Sequence, residues 1–231
     1  MNAIVSASDY SIPPYTIPLS EEVAVGFSGF VLEEQENILK KILGRLLYSA
    51  FDAGITWTVE WSATTSYALD ALVVSGDKLY KSLQAANLNH ALTDAAWWVE
   101  VTDNRWFKLY YGSEYTENSK TYSYGGIKAL IKPYIYSEWL AATFDNHSGN
   151  GIVVANNENA EMISPRSRIV KSWNDFYKRV GNCHSVHDTL YGYLYNSDDT
   201  YLDVVEDEYS TITEYMSDAI VDVGTKNVFD L

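Results

Sequence analysis

The stretch from Trp57 to Val101 constrains the fold most, because it is patterned for paired strands while the chain on either side is patterned mainly for helices. Ala71 to Ser75 and Lys78 to Leu83 are two β-rich runs joined by Gly76-Asp77, and a two-residue loop that begins with glycine suits a tight hairpin. A hairpin alone cannot bury a core, so a unit this small must hide apolar area with large side chains. Trp61, Tyr67, Tyr80, Trp97 and Trp98 supply them, which makes these aromatics partly structural. Consecutive residues of a strand face opposite sides. One of Trp97 and Trp98 is therefore expected to pack inward and the other to be exposed, and the pattern does not say which.

Around this unit the chain divides into residues 1–56, 57–101 and 102–231. Pro13, Pro14 and Pro18 within Met1 to Leu19 suit an extended arm, expected to be disordered or to lie on a neighbour. Ser28 is placed to cap a helix from about Gly29 to Ala50. At 100° per residue, Val31, Leu32, Ile38, Leu39, Ile42, Leu43 and Leu46 share one face of it, opposite Glu33, Asn37, Lys40, Lys41 and Gly44. Asn104 to Gly112 has no clean period and is read as an aromatic anchor, and Tyr115 with Tyr122 to Gly126 as a Tyr/Gly turn region. A helix from about Gly126 to Thr143 is apolar nearly all round and is expected to be central or to lie between subunits, kinked at Pro133. Asp145 to Gly151 reads as a turn and Ile152 to Ala155 as a short strand.

Ser164-Pro165 marks a further helix start. Ile169, Val170, Trp173, Phe176, Tyr177 and Val180 occupy one arc of this helix, and Arg168, Lys171, Lys178 and Arg179 lie opposite them. Gly181 is expected to end or bend it, and Val186 to Leu194 to form another. The basic face is either solvated or paired with an acidic neighbour. Such a neighbour exists in the same sequence, since Ser197 to Leu231 holds ten acids against Lys226 and so carries −9 of a formal net charge of −15. That balance opposes tight binding to nucleic acid, whose affinity comes largely from Lys and Arg at phosphates.

No specific reaction signature emerges. Cys183, the single cysteine, with His184 and His187 offers metal-ligand types, but a structural zinc needs four ligands, and adjacent residues of a helix diverge by too much for a Cys-His pair. No carboxylate pair stands in a context that marks a glycosidase site, and Gly125-Gly126 lacks the spacing of a phosphate loop. No catalytic residue, metal or cofactor is assigned. With no apolar run of about 18 residues and no charged-plus-apolar leader, neither a membrane span nor a signal peptide is expected, and synthesis is expected to be intracellular.

Two resemblances add to these readings. Tyr67, Val73, Val74, Gly76, Tyr80 and the run Ala95-Ala96-Trp97-Trp98-Val99 follow an order that resembles the type 5/12 carbohydrate-binding (chitin-binding-like) modules. That resemblance implies a sugar platform of Trp61, Tyr67 and the exposed member of the Trp97/Trp98 pair. The flanking parts carry Ile38-Leu39, Leu43-Gly44-Arg45-Leu46-Leu47-Tyr48, Trp106-Phe107-Lys108-Leu109, Gly112, Tyr115, Tyr124-Gly125-Gly126-Ile127-Lys128, Tyr134-Ile135-Tyr136, Gly151 and Trp173-Asn174. In this order they resemble the head-to-tail adaptor (connector or ring) proteins of tailed bacteriophages, which usually have only a short loop where this chain has its β unit. The resemblance implies a mainly α adaptor bundle with a small inserted all-β module, a structural virion protein and not an enzyme. Its implied partners are a portal protein and other tail or ring proteins, in a cyclic, dodecameric homo-oligomer through which DNA passes; in such a ring the charge segregation noted above would put Arg168, Lys171, Lys178 and Arg179 at contacts between copies. A glycan or fibre protein is the implied partner of the inserted module. The alternative is a glycan-binding accessory protein for which the helical part is only a mount.

Overall fold

The computed structural model describes residues 3–17, 21–55, 59–76, 78–147, 165–181, 187–196 and 201–219. Helices and small sheets are mixed in it. The helices are α1 (Glu21–Leu43), α2 (Arg45–Gly54), α3 (Arg105–Tyr111), α4 (Gly126–His147), α5 (Pro165–Val180), α6 (Leu190–Asn196) and α7 (Ile212–Ala219). Among the described residues there is no helix long and apolar enough to cross a membrane.

The long helix expected after Ser28 is two helices, and its start lies further back. Ser28 sits inside α1, which ends at Leu43, and Gly44 at φ +69° separates it from α2. A left-handed φ is open to glycine at little cost and breaks the helical path. The apolar stripe still does its work, since Val31, Ile38, Leu39, Ile42 and Leu43 are buried, while Leu32 is 42% exposed. The break is bridged from far along the chain. Tyr215 of α7 donates its hydroxyl to the carbonyl of Leu43 at 2.9 Å and accepts the amide of Leu47 at 3.1 Å. Tyr215→Phe would leave both backbone groups buried and unpaired, at a cost of about 1–3 kcal/mol. The expected result is a lower urea midpoint with an unchanged slope; a midpoint equal to that of the parent would show that the break needs no bridge.

The proline-rich arm lies on its own chain and not on a neighbour. Ile4, Val5, Tyr10 and Ile17 are buried in the main core, because a polar residue on the α1 stripe holds the arm there: buried Gln35 accepts the amide of Ile4 through Oε1 at 2.7 Å. Tyr110 donates to the Ile4 carbonyl at 3.1 Å, and Tyr10 to that of Lys132 at 3.2 Å. Tyr10 also packs edge-on against Phe27, which in turn meets Trp139.

Asn104 to Gly112 forms a helix, where an aromatic anchor without a clear period was expected. Asn104 caps α3 by accepting the amide of Phe107 at 3.0 Å. The Tyr/Gly region is a hairpin of β7 (Ser113–Glu117) and β8 (Lys120–Tyr124), with Asn118 and Ser119 both at positive φ in its two-residue turn. Two such residues match the twist of the strands they join. β structure therefore extends beyond residues 57–101.

α4 is central: Ile127, Leu130, Ile131, Tyr134, Ile135 and Tyr136 are buried and the helix continues through Pro133 to His147, past the turn expected at Asp145. It packs chiefly against α5, whose Trp173 and Phe176 rings meet Tyr134. α5 runs from Pro165 to Val180 and stops at Gly181, φ +82°, as the sequence implies, and α6 starts at Leu190, Val186 lying outside the described residues. Ser164, Asp77 and the strand expected at Ile152 to Ala155 lie outside the described residues.

The stretch read as a β unit folds into strands β1 (Val59–Glu60), β2 (Ser66–Tyr67), β3 (Leu72–Ser75), β4 (Lys78–Ser82), β5 (Asn87–Leu88) and β6 (Trp98–Glu100). A four-stranded sheet has the order β1-β3-β4-β6, with β2 and β5 paired beside it. Ser75 pairs with Lys78 across the expected hairpin, and Gly76 takes φ +63°. Alternation gives the sheet two faces. On one, Val73 and Trp98 bury themselves with Tyr67 in a small core of their own. On the other, Leu72 and Leu79 look onto Gly54, Ile55, Trp106 and Phe107 around a cavity of about 110 Å³. The sheet is thus seated on α2 and α3.

Candidate functional site

Two surfaces were expected to bind, and the structure places them differently. The basic one is built by α5 and the arm. Because the apolar arc of α5 is turned inward, Arg168, Lys171, Lys178 and Arg179 are exposed along its outer face. Pro14, Tyr15 and Thr16 run beside them, and together with Tyr136 of α4 they enclose a groove of about 620 Å³.

One acid lies in that groove and it is already engaged. Asp175 accepts the Tyr15 hydroxyl through Oδ2, and Arg179 Nε lies 3.4 Å from the same oxygen. Burial, and then the Asp175 carboxylate, push the Tyr15 hydroxyl far above its ordinary range, so it remains a donor. The Tyr15 ring is tilted against Tyr136 at 5.5 Å. Among the described residues, Arg168, Lys171 and Lys178 have no ion-pair partner. The groove therefore has an aromatic floor and a cationic rim. Sequence reasoning found the rim but missed Pro14, Tyr15, Thr16 and Tyr136, because the arm was expected to leave the molecule.

The second surface is the aromatic cluster of the β unit. Tyr67 is 8% exposed and Trp98 is 3% exposed, so neither offers a face to a ligand. They meet edge to face at 5.3 Å, Tyr67 accepts the Ser62 amide at 2.7 Å, and Trp98 Nε1 donates to the His90 carbonyl at 3.0 Å. The platform implied for Tyr67 is thus corrected, since its ring is needed in a core with few other large side chains. Trp97 and Trp61 are half-buried. One face of Trp97 is covered by His90, stacked at 3.6 Å and 9°, and the amides of Trp97 and Trp98 both donate to the Asp94 carbonyl, at 3.0 and 2.9 Å. What remains for stacking is Trp61 and part of Trp97.

Of the residues weighed for metal chemistry, Cys183 and His184 lie outside the described residues. His187 ties the β7–β8 hairpin to α6: its ring stacks on Tyr122 at 4.0 Å, its Nδ1 lies 3.2 Å from Asn196 Nδ2, and its carbonyl accepts the Tyr115 hydroxyl at 2.5 Å. Glu117 Oε2 is 3.0 Å from Nδ1, within ion-pair range but without hydrogen-bond geometry. Among the described residues no three His, Cys, Asp or Glu side chains converge as metal ligands.

The acid-rich segment is partly folded into the body. Tyr201, Val205, Ile212, Tyr215 and Met216 are buried in the main core. Asp203 is paired with Arg105 at 2.6 Å, Asp218 accepts the Tyr209 hydroxyl at 3.1 Å, and Glu214 accepts from Ser210, which holds its carboxyl below the usual range. Glu206, Asp207 and Glu208 are exposed, on a turn whose Val205 is anchored in the core. Compared with family models, with curated proteins and with solved structures, the chain matches none.

Proposed function

We infer that this chain is a structural ring component, a head-to-tail adaptor beneath the portal of a tailed bacteriophage, forming part of the conduit for DNA. Charge segregation carries the reading. Exposed cations of α5 line one groove, and the exposed acids Glu206, Asp207 and Glu208 stand on another element of the same chain. A closed cyclic assembly repeats one contact between unlike surfaces of the same chain, and complementary charge suits such a contact. The order of motifs described above supports the same reading, as does a net charge of −15, which keeps a polyanion from adhering to the wall it passes.

In this reading the helices form the adaptor body, and the strands between α2 and α3 are an inserted module with its own small core of Tyr67, Val73 and Trp98. The module presents Trp61 and part of Trp97 to a glycan or to a fibre protein.

Single-particle images of the purified protein, taken over a wide range of concentration and salt, are expected to show rings at high concentration and low salt. Monomers under every condition would overturn the ring reading. Monomers retained on an immobilised polysaccharide would instead favour a glycan-binding accessory protein.

A further inference from the structure

We propose that the groove between the arm and α5 receives the Glu206-Asp207-Glu208 turn of a second copy of this chain. The inference rests on the ring reading and names the contact that would close the ring.

Both sides are preformed. The arm is fixed by hydrogen bonds from Tyr10 to the Lys132 carbonyl and from Tyr15 to Asp175, so the groove has a rigid wall opposite the cations. Its volume, about 620 Å³, is in the range that holds a drug-sized ligand or a short loop. The three acids project from a turn closed by the Val205 amide on the Leu202 carbonyl at 2.9 Å and the Glu208 amide on the Val205 carbonyl at 3.0 Å. Little conformational freedom is then lost on docking.

Charge selects the occupant. Among the described residues, Arg168, Lys171 and Lys178 lack ion-pair partners, and so do Glu206, Asp207 and Glu208. The neighbouring acids Asp203, Glu214 and Asp218 are each engaged within their own copy. The groove lies on α5 with the arm and the turn follows Val205, so the contact is head to tail and can repeat around an axis. A phosphate backbone would fit the same cations, but a molecule with a net charge of −15 repels it from a distance.

Mass photometry at low salt tests this with four proteins: the parent, Lys171→Glu/Lys178→Glu, Glu206→Lys/Glu208→Lys, and the fourfold variant. All four positions are exposed, so the folds are expected to survive, as checked by circular dichroism; Lys171→Ala/Lys178→Ala stands in should the charge reversal unfold. Each double variant is expected to weaken self-association by at least about tenfold, and the fourfold variant to recover it, because exchanging the signs restores complementarity. Rings that persist unchanged in both double variants would overturn this contact while leaving the ring reading intact. A parent that never assembles would overturn both. Failure of the fourfold variant to recover would show that the two patches do not meet. Retention of a short duplex DNA by the parent, lost in Lys171→Glu/Lys178→Glu without change in assembly, would give the groove to a polyanion and overturn the proposal.

Discussion

Gly126→Ala is expected to destabilise the protein by more than about 3 kcal/mol, combining a left-handed backbone with overpacking that no side chain can relieve. Gly126 has φ +82°, and a Cβ placed on it would stand 2.4 Å from the Gly112 amide nitrogen and from the Tyr111 carbonyl carbon, and 2.5 Å from the Tyr110 oxygen. All three are backbone atoms. Gly112, itself at φ +98°, makes the reciprocal approach, with a Cβ position 2.3 Å from the Tyr124 oxygen. The two glycines let the end of α3 and the start of α4 touch where the β7–β8 hairpin leaves and returns. Separating them would pull Leu109 and Tyr110 from Ile127, in the centre of the core. Gly29→Ala is the control: it lies in α1 with nothing within 4 Å of its Cβ position, and is expected to stabilise by about 0.5–1 kcal/mol. Thermal unfolding of both variants reads the difference. A Gly126→Ala protein that melts with the parent would mean that the crossing can open at no cost.

Trp98→Ala is the second large effect, with an expected cost of about 3–5 kcal/mol. The small core beside the four-stranded sheet consists of Tyr67, Val73 and Trp98, with Trp61, Ala71, Tyr80, Leu92 and Trp97 packed around it. Losing its largest member leaves no large buried neighbour but Tyr67 to fill the space. Trp97→Ala removes a half-exposed ring stacked on His90 and is expected to cost no more than about 1 kcal/mol. Near-ultraviolet circular dichroism during melting, together with the sites of limited proteolysis, distinguishes loss of this core from loss of the helical one. Equal destabilisation by the two substitutions would show that Trp97 is core as well. Loss of both cores in Trp98→Ala would show that the sheet and the helices unfold as one unit through the contacts of Leu72 and Leu79.

The sequence reveals what depends on a regular period and hides what depends on distant partners. α5 is legible because its apolar arc recurs regularly from Ile169 to Val180 with cations at Arg168, Lys171, Lys178 and Arg179 opposite it, and Pro165 and Gly181 punctuate both ends. β3 and β4 are legible for the same kind of reason, as Gly76 occupies a turn position that needs positive φ. The division of α1 from α2 is not, because periodicity runs through Gly44 and the bridge comes from Tyr215. The arm is misleading: three prolines suggest an extended segment, and nothing local shows that Gln35 will accept the Ile4 amide. The β7–β8 hairpin turns on Asn118-Ser119, a weaker signal than a turn with glycine. The candidate groove was half legible. Its cations lie on a periodic helix, whereas Tyr15 and Tyr136 reach it only through tertiary packing. For the tryptophan pair, alternation gave one inward and one outward member, and only packing against Tyr67 and Val73 assigned Trp98 to the inside.

The tyrosine that spans the α1–α2 break also sets an order of events during synthesis. Leu43 and Leu47 leave the ribosome well before Tyr215, since the hydroxyl that satisfies them is 172 and 168 residues later in the chain. Until α7 emerges, the carbonyl and amide at the α1–α2 junction are left to water, and the apolar surface meant for Tyr215 and Met216 stays open. Contacts of such separation delay completion of the core to the last step of folding. A nascent chain of this protein therefore carries an unfinished apolar surface over the whole interval between the synthesis of Leu47 and that of Tyr215, an interval in which a holding chaperone has the opportunity to bind.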